Sequence, residues 1–219
     1  IAVCLVYCAC LVSQLAYFSG GFSGILPESY TLAEYARRGF FEMAWLCALN
    51  LGIIIGALWV CEKKDRAPLL TRLLCLFLGL VTLFLVAAAS AKMLLYIDSY
   101  GLTRLRVLTQ TIMVFFGIVT LLVCLWLFFR KLPYMKAVIL TALVLGALIG
   151  WTDVDTLVAR YNTNAYLSGT ISSVDVAYLG KLGDGAVPRL VYLVENAPDS
   201  QIRTAAGKAL FFFLRRANW

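Results

Sequence analysis

Histidine is absent from all 219 residues. That removes Ser-His-Asp and Cys-His catalysis, His-ligated zinc and haem, and the usual proton shuttle near neutral pH. Charge is scarce too. Asp, Glu, Lys and Arg make up 14% of the chain, where a soluble domain carries about 25%. The sequence has no G-x-S-x-G, no Walker motif, no dinucleotide fingerprint and no nucleic-acid module. No cofactor, metal or nucleic acid is therefore expected.

What is present is apolar. The hydrophobic fraction is 62% and the mean hydropathy is +0.87. These values exclude a disordered chain, a coiled coil, collagen and a disulfide-stapled module, and leave a polytopic membrane protein. A helix needs about 20 apolar residues to cross a bilayer. Five stretches qualify or nearly do: Ile1–Phe18, Phe40–Cys61, Leu69–Leu95, Leu105–Phe129 and Met135–Trp151. Lipid offers the backbone no hydrogen-bond partner, so each must be helical. Ile1 opens its run with no Met and no basic segment before it, which reads as a point inside a longer chain. The end at Arg215–Trp219 likewise reads as cut.

The cations set the topology. Lys63, Lys64, Arg66, Arg72, Arg130, Lys131 and Lys136 fall on one side, and Arg37, Arg38, Lys92, Arg104 and Arg106 on the other. Seven against five puts the first set in the cytoplasm. The tail from Thr152 is then extracytoplasmic. It holds seven Lys/Arg and six Asp/Glu, a composition suited to water. Thr152 and Asp155 suggest a capping box for a short helix through Tyr161, followed by a polar loop over Asn162–Ser173. Val187, Leu190, Val191 and Val194 form one helical stripe. Ile202, Ala206, Leu210 and Phe213 belong to the next, past a break at Ala197-Pro198-Asp199-Ser200. This pair resembles a single HEAT-type helix pair, which cannot bury its face alone. The expected fold is all-α: a polytopic membrane helix bundle of about five spans over 1–151, with a small extracytoplasmic helical tail over 152–219.

Chemistry is most legible at Pro27–Glu42. Thr31 and Glu34 fit a capping box, so a helix should start near Leu32. Arg37 and Arg38 then reach the outer headgroup level, where Arg104 and Arg106 also stand. Arginine grips phosphate or carboxylate in a two-pronged fork. Tyr35 and Tyr100 suit the interface beside them, and Glu42 sits at the same level. These seven residues form a candidate anionic-ligand site. The alternative is structural: Glu34, Glu42 and Asp98 neutralise the arginines, with Glu34 and Arg38 an i, i+4 pair. Lys92 is read as snorkelling and Glu42 as an interhelical partner. The seven cysteines read as packing residues within the spans, and Asp153 and Asp155 as first-turn helix residues. Ser29-Tyr30-Thr31-Leu32 and Ser99-Tyr100-Gly101-Leu102 form a weak internal echo.

Three segments carry a resemblance: EYARRGFFEM at Glu34–Met43, SYGLTRLRVL at Ser99–Leu108 and VDTLVARYNTNAYL at Val154–Leu167. Together they resemble a bacterial domain-of-unknown-function family of multi-pass membrane proteins. The resemblance implies several spans followed by a short helical tail, and further spans upstream. It implies no activity, substrate or catalytic residue.

The function expected is a non-enzymatic component of the bacterial cytoplasmic membrane, in an interaction, sensory or scaffold role. Its partners would be membrane lipids, an anionic wall polymer, or a protein docking on the tail. An enzyme or carrier acting on lipid-linked anionic substrates is the other reading, with Glu42 or a tail Asp as acid or base. A deep polar cavity between the second and fourth spans would favour that reading. The sequence leaves the oligomeric state open.

Overall fold

The structure, a computed structural model, describes residues 5, 6, 9, 32–62, 68–129 and 133–217. Among these residues the regular structure is helical, with no strand. Four long helices come first: α1 (Leu32–Glu62), α2 (Leu69–Tyr100), α3 (Arg104–Phe128) and α4 (Tyr134–Trp151). Each contains a stretch long and apolar enough to cross a membrane, over Arg37–Val60, Leu69–Tyr100, Arg104–Phe128 and Tyr134–Trp151. The four later expected spans are therefore present. The first, Ile1–Phe18, lies almost wholly outside the described residues. So do Ser29–Thr31, Cys4, Cys8, Cys10, Lys63, Lys64, Arg66, Arg130 and Lys131.

The chain divides into two compact units, and the division falls inside the long helices. One comprises Ile1–Tyr96 and Thr109–Leu145, the other Ile97–Leu108 and Gly146–Trp219. The second unit thus takes in more than the polar tail. It includes the end of α2, the turn into α3, and the end of α4.

In the first unit, Leu51, Ile54 and Leu58 of α1 pack with Cys75 and Leu78 of α2 and with Val119, Val123 and Trp126 of α3. Apolar burial does not by itself drive helices together in lipid, so close backbone approach and polar contacts matter more. Both are present. Asn50 Nδ2 donates to Thr82 Oγ1 at 3.0 Å, joining α1 to α2 in a fully buried position. At Gly79 an added Cβ would lie 2.5 Å from Cys124 Sγ, so a larger residue there would force the Cys124 side chain or the α2–α3 approach to shift. Lys92 is fully buried on α2, which corrects the snorkelling expectation; its ammonium interacts electrostatically with Glu42 of α1.

The second unit adds α5 (Val154–Leu167), α6 (Val176–Leu179), a 3-10 turn (Asp184–Ala186), α7 (Val187–Asn196) and α8 (Ser200–Ala217). The cap of α5 is Asp153, which accepts from the backbone N–H groups of Asp155 and Thr156 at 3.1 Å. Thr152, expected to cap it, instead donates its hydroxyl back to the Leu148 carbonyl of α4. The loop expected from Asn162 is also corrected, because α5 continues to Leu167. Asn162, Thr163, Ala165 and Tyr166 are buried there, and tertiary packing outweighs the weak helix propensity of Asn162, Thr163 and Tyr166. Pro198 follows α7, and Asp199 caps α8 by accepting from the Gln201 N–H at 2.8 Å. Leu190 and Ala206 are fully buried in one cluster, and Val194, Leu210 and Phe213 pack against it.

Candidate functional site: the turn between α2 and α3

The turn is built from Gly101, Leu102 and Thr103. Gly101 has φ +78° and donates its N–H to the Ile97 carbonyl at 2.7 Å, the left-handed stop common after a helix. Thr103 opens α3: its carbonyl accepts from the Val107 N–H at 3.1 Å and its hydroxyl from the Arg106 N–H at 3.3 Å. Between them, Leu102 presents an N–H and a carbonyl that no helix can satisfy.

The tail satisfies both. Asn162 of α5 accepts from the Leu102 N–H through Oδ1 at 2.6 Å and donates from Nδ2 to the Leu102 carbonyl at 2.8 Å. One side-chain amide thus replaces a missing peptide partner on each side. The Arg104 N–H donates to the Tyr178 hydroxyl of α6 at 3.0 Å. The Arg104 guanidinium donates through two nitrogens to the two oxygens of Asp155. Tyr161 donates its hydroxyl to Asp98 at 3.1 Å. Leu102 and Val107 complete the seat by packing against the tail core.

These contacts give several expected site residues partners within the chain. Arg104 is neutralised, but by Asp155 rather than Asp98, which serves Tyr161 instead. Asp155 is therefore more than a first-turn residue. The Arg106 guanidinium donates to the Gly101 carbonyl and closes the turn on itself. Tyr100 is exposed at the end of α2. In the other unit, Arg37 is exposed, and Arg38 donates to Glu42 at 3.0 Å in an exposed i, i+4 pair. Tyr35 lies in the first turn of α1 with its side chain outside the described residues, as does the Glu34 side chain. The site's electrostatics follow from its hydrogen bonds. Thr156 holds the Asp153 carboxyl below the usual carboxylate range, first through its hydroxyl and then through its N–H. Burial pushes the Tyr161 phenol above its usual value, and the bond to Asp98 adds to this.

A family model, Domain of unknown function (DUF4153), matches residues 1–193. The chain belongs to this family. No curated protein and no solved structure matches it. In this DUF4153 chain, two of the three segments that carry the resemblance, Ser99–Leu108 and Val154–Leu167, meet at the turn. The matched residues run through α5 and α6 and end inside α7, so α8 lies past them. Residue reading gave Asn162 no role and did not single out Tyr178; both look like ordinary polar residues of a tail. Asn162 closes the ARYN segment, which was its sequence signal, while Tyr178 lies outside the segments that carry the resemblance. Among the described residues no group of three or more His, Cys, Asp or Glu is placed to hold a metal ion. What this arrangement can do is hold: it fixes one membrane turn to one helical module.

Proposed function

We propose that this membrane protein is a non-enzymatic component of the bacterial cytoplasmic membrane, with the tail and the α2–α3 turn acting as one interaction module on the outer face. The carrying observation is the double hydrogen bond between Asn162 and Leu102. It couples a partner held by the tail to the end of a membrane helix, which suits a sensory or scaffold role. An outer-face contact with an anionic lipid or wall polymer falls to Arg37 and Arg38. The pair between Arg38 and Glu42 is solvent-exposed, contributes little, and can yield to a phosphate. Arg104 and Arg106 serve the turn. A carrier or enzyme for lipid-linked anionic substrates would need those two guanidinium groups open, and both are engaged within the chain.

The test is photo-crosslinking in intact cells from Tyr192, an exposed position on α7. A discrete protein adduct is expected, and Asn162→Ala should weaken it while the protein remains inserted. Absence of an adduct from Tyr192 and from other exposed tail positions would sink the interaction reading. So would turnover of a lipid-linked phosphate by the purified protein, lost on replacing Arg37 and Arg38.

A further inference from the structure

The tail carries a second surface that the turn does not use. Helix α8 holds four cations, Arg203, Lys208, Arg215 and Arg216, and no acid. Its inner stripe is spent on α7 and α6, where Ala206 is fully buried and Ile202, Ala209 and Phe213 pack around it. Lys208, Phe211, Phe212 and Arg215 fall on the opposite face at spacings of three and four residues, and all four are exposed. Phe211 and Phe212 are 63% and 68% exposed, and their rings stand edge to face with centroids 6.4 Å apart.

A shallow groove of about 420 Å³ runs beside this face. Half-buried Gly180, Ala205 and Ala209 form its floor, and exposed Lys181, Lys208 and Phe212 its edge. An added Cβ at Gly180 would touch Ala209 at 3.5 Å, so small residues bring α6 and α8 together and keep the groove shallow.

We propose that Lys181, Lys208, Phe211, Phe212 and Arg215 form a docking face for an anionic bilayer surface, the phenylalanines entering the headgroup boundary and the cations meeting lipid phosphates. Lysine and arginine beside exposed aromatics on one helical face is the pattern of a helix lying in the interface. The charge is complementary to anionic lipid, whose negative surface potential attracts nearby Lys and Arg. The tail is also tethered. The ends of α2 and α4 and the start of α3 belong to the same unit, so a bilayer surface is always within reach. An acidic protein would satisfy the charge but lacks that standing proximity. The face uses none of Arg37, Arg38 or the turn residues, and its role does not depend on theirs.

The full chain, with native cysteines replaced and Phe212→Cys carrying a bimane label, is placed in nanodiscs of phosphatidylcholine, alone or with about one-third phosphatidylglycerol. Brominated lipid is the quencher. Quenching should be several-fold stronger in the anionic discs. It should return to the neutral-disc value in about 1 M salt, where the screening length falls to about 3 Å. The triple change Lys181→Gln, Lys208→Gln, Arg215→Gln should abolish the difference, while Lys181→Arg with Lys208→Arg should keep it. A label at Tyr192→Cys on α7 should stay unquenched. Three results overturn the proposal. One is a Phe212 label that stays in water in both discs, which leaves the face to an acidic protein. Another is quenching that ignores both lipid charge and the glutamine changes. The third is a Tyr192 label quenched equally.

Discussion

Gly101 and Gly169 both hold left-handed backbone, at φ +78° and +74°, yet their surroundings differ. An added Cβ at Gly101 would stand 2.6 Å from Asn162 Oδ1, while nothing lies within 4 Å at Gly169. Alanine at Gly169 meets backbone strain of about 1 kcal/mol. Alanine at Gly101 also displaces Asn162 and strands the Leu102 polar groups, for a total of about 2–3 kcal/mol. Unfolding of the tail, followed by hydrogen exchange of α5 in the full protein, should rank them in that order. Equal losses would mean that Asn162 does not hold the turn. Asp153 provides a pH test. Its folded-state carboxyl titrates below the unfolded one, so its contribution is present above the usual carboxylate range near pH 3.8 and is lost as pH falls through the depressed folded value. Asn can still cap a helix but does not titrate. The stability gap between the parent and Asp153→Asn should therefore shrink on going from neutral to acid pH. A gap that stays constant would exclude Asp153 as the titrating cap.

At the scale of elements, each unit depends on one close approach. Between α2 and α3 it is Gly79 against Cys124, where alanine would put a methyl 2.5 Å from the sulfur. Gly79→Ala should lower the stability of the helix pair by about 1–3 kcal/mol. Cys124→Ala removes the obstructing atom, so the double variant should recover most of the loss. No recovery in a double-mutant cycle would show that the sulfur is not the obstacle. Between α7 and α8 the close approach is at Ala206, fully buried among Leu190, Val194 and Leu210. Ala206→Asp leaves an unpaired buried charge and should cost several kcal/mol. The tail should become protease-sensitive while α1–α4 stay inserted. Unchanged protease resistance would argue against a shared seam.

At the scale of the whole molecule, helix order constrains topology. The turn after α2 and the chain after α4 belong to one unit, so they share one side of the membrane. The count of cations between spans predicts that this side is outside. Single cysteines at Ser99, Ser168 and Lys64, in a chain lacking its seven native ones, can be probed with an impermeant thiol reagent. Positions 99 and 168 should label in intact cells and position 64 only after lysis. Labelling of 64 but not 168 reverses the orientation. Different behaviour of 99 and 168 would contradict the shared side.

The long apolar runs alone were enough to specify the membrane helices. Leu69–Leu95 can only be helical in lipid, and the structure extends it to Tyr100, where Gly101 ends it in left-handed backbone. The stripes of α7 and α8 were legible in outline, since a 3.6-residue period needs no partner to be seen, but Val191 of the expected α7 stripe is exposed and Leu193, outside it, is fully buried. The site was not. Asn162 looked like the start of a loop because its propensity is weak, and only burial beneath the turn makes it helical. Arg104 looked like an anion-binding residue because sequence gives charge without distance. Asp155 lies 51 positions away, and nothing local marks it as the partner. Periodicity and hydropathy are properties of neighbours along the chain, so the sequence determined the elements and their order. Which polar groups satisfy one another depends on approach between distant segments, and that was decided only when the tail folded over the turn.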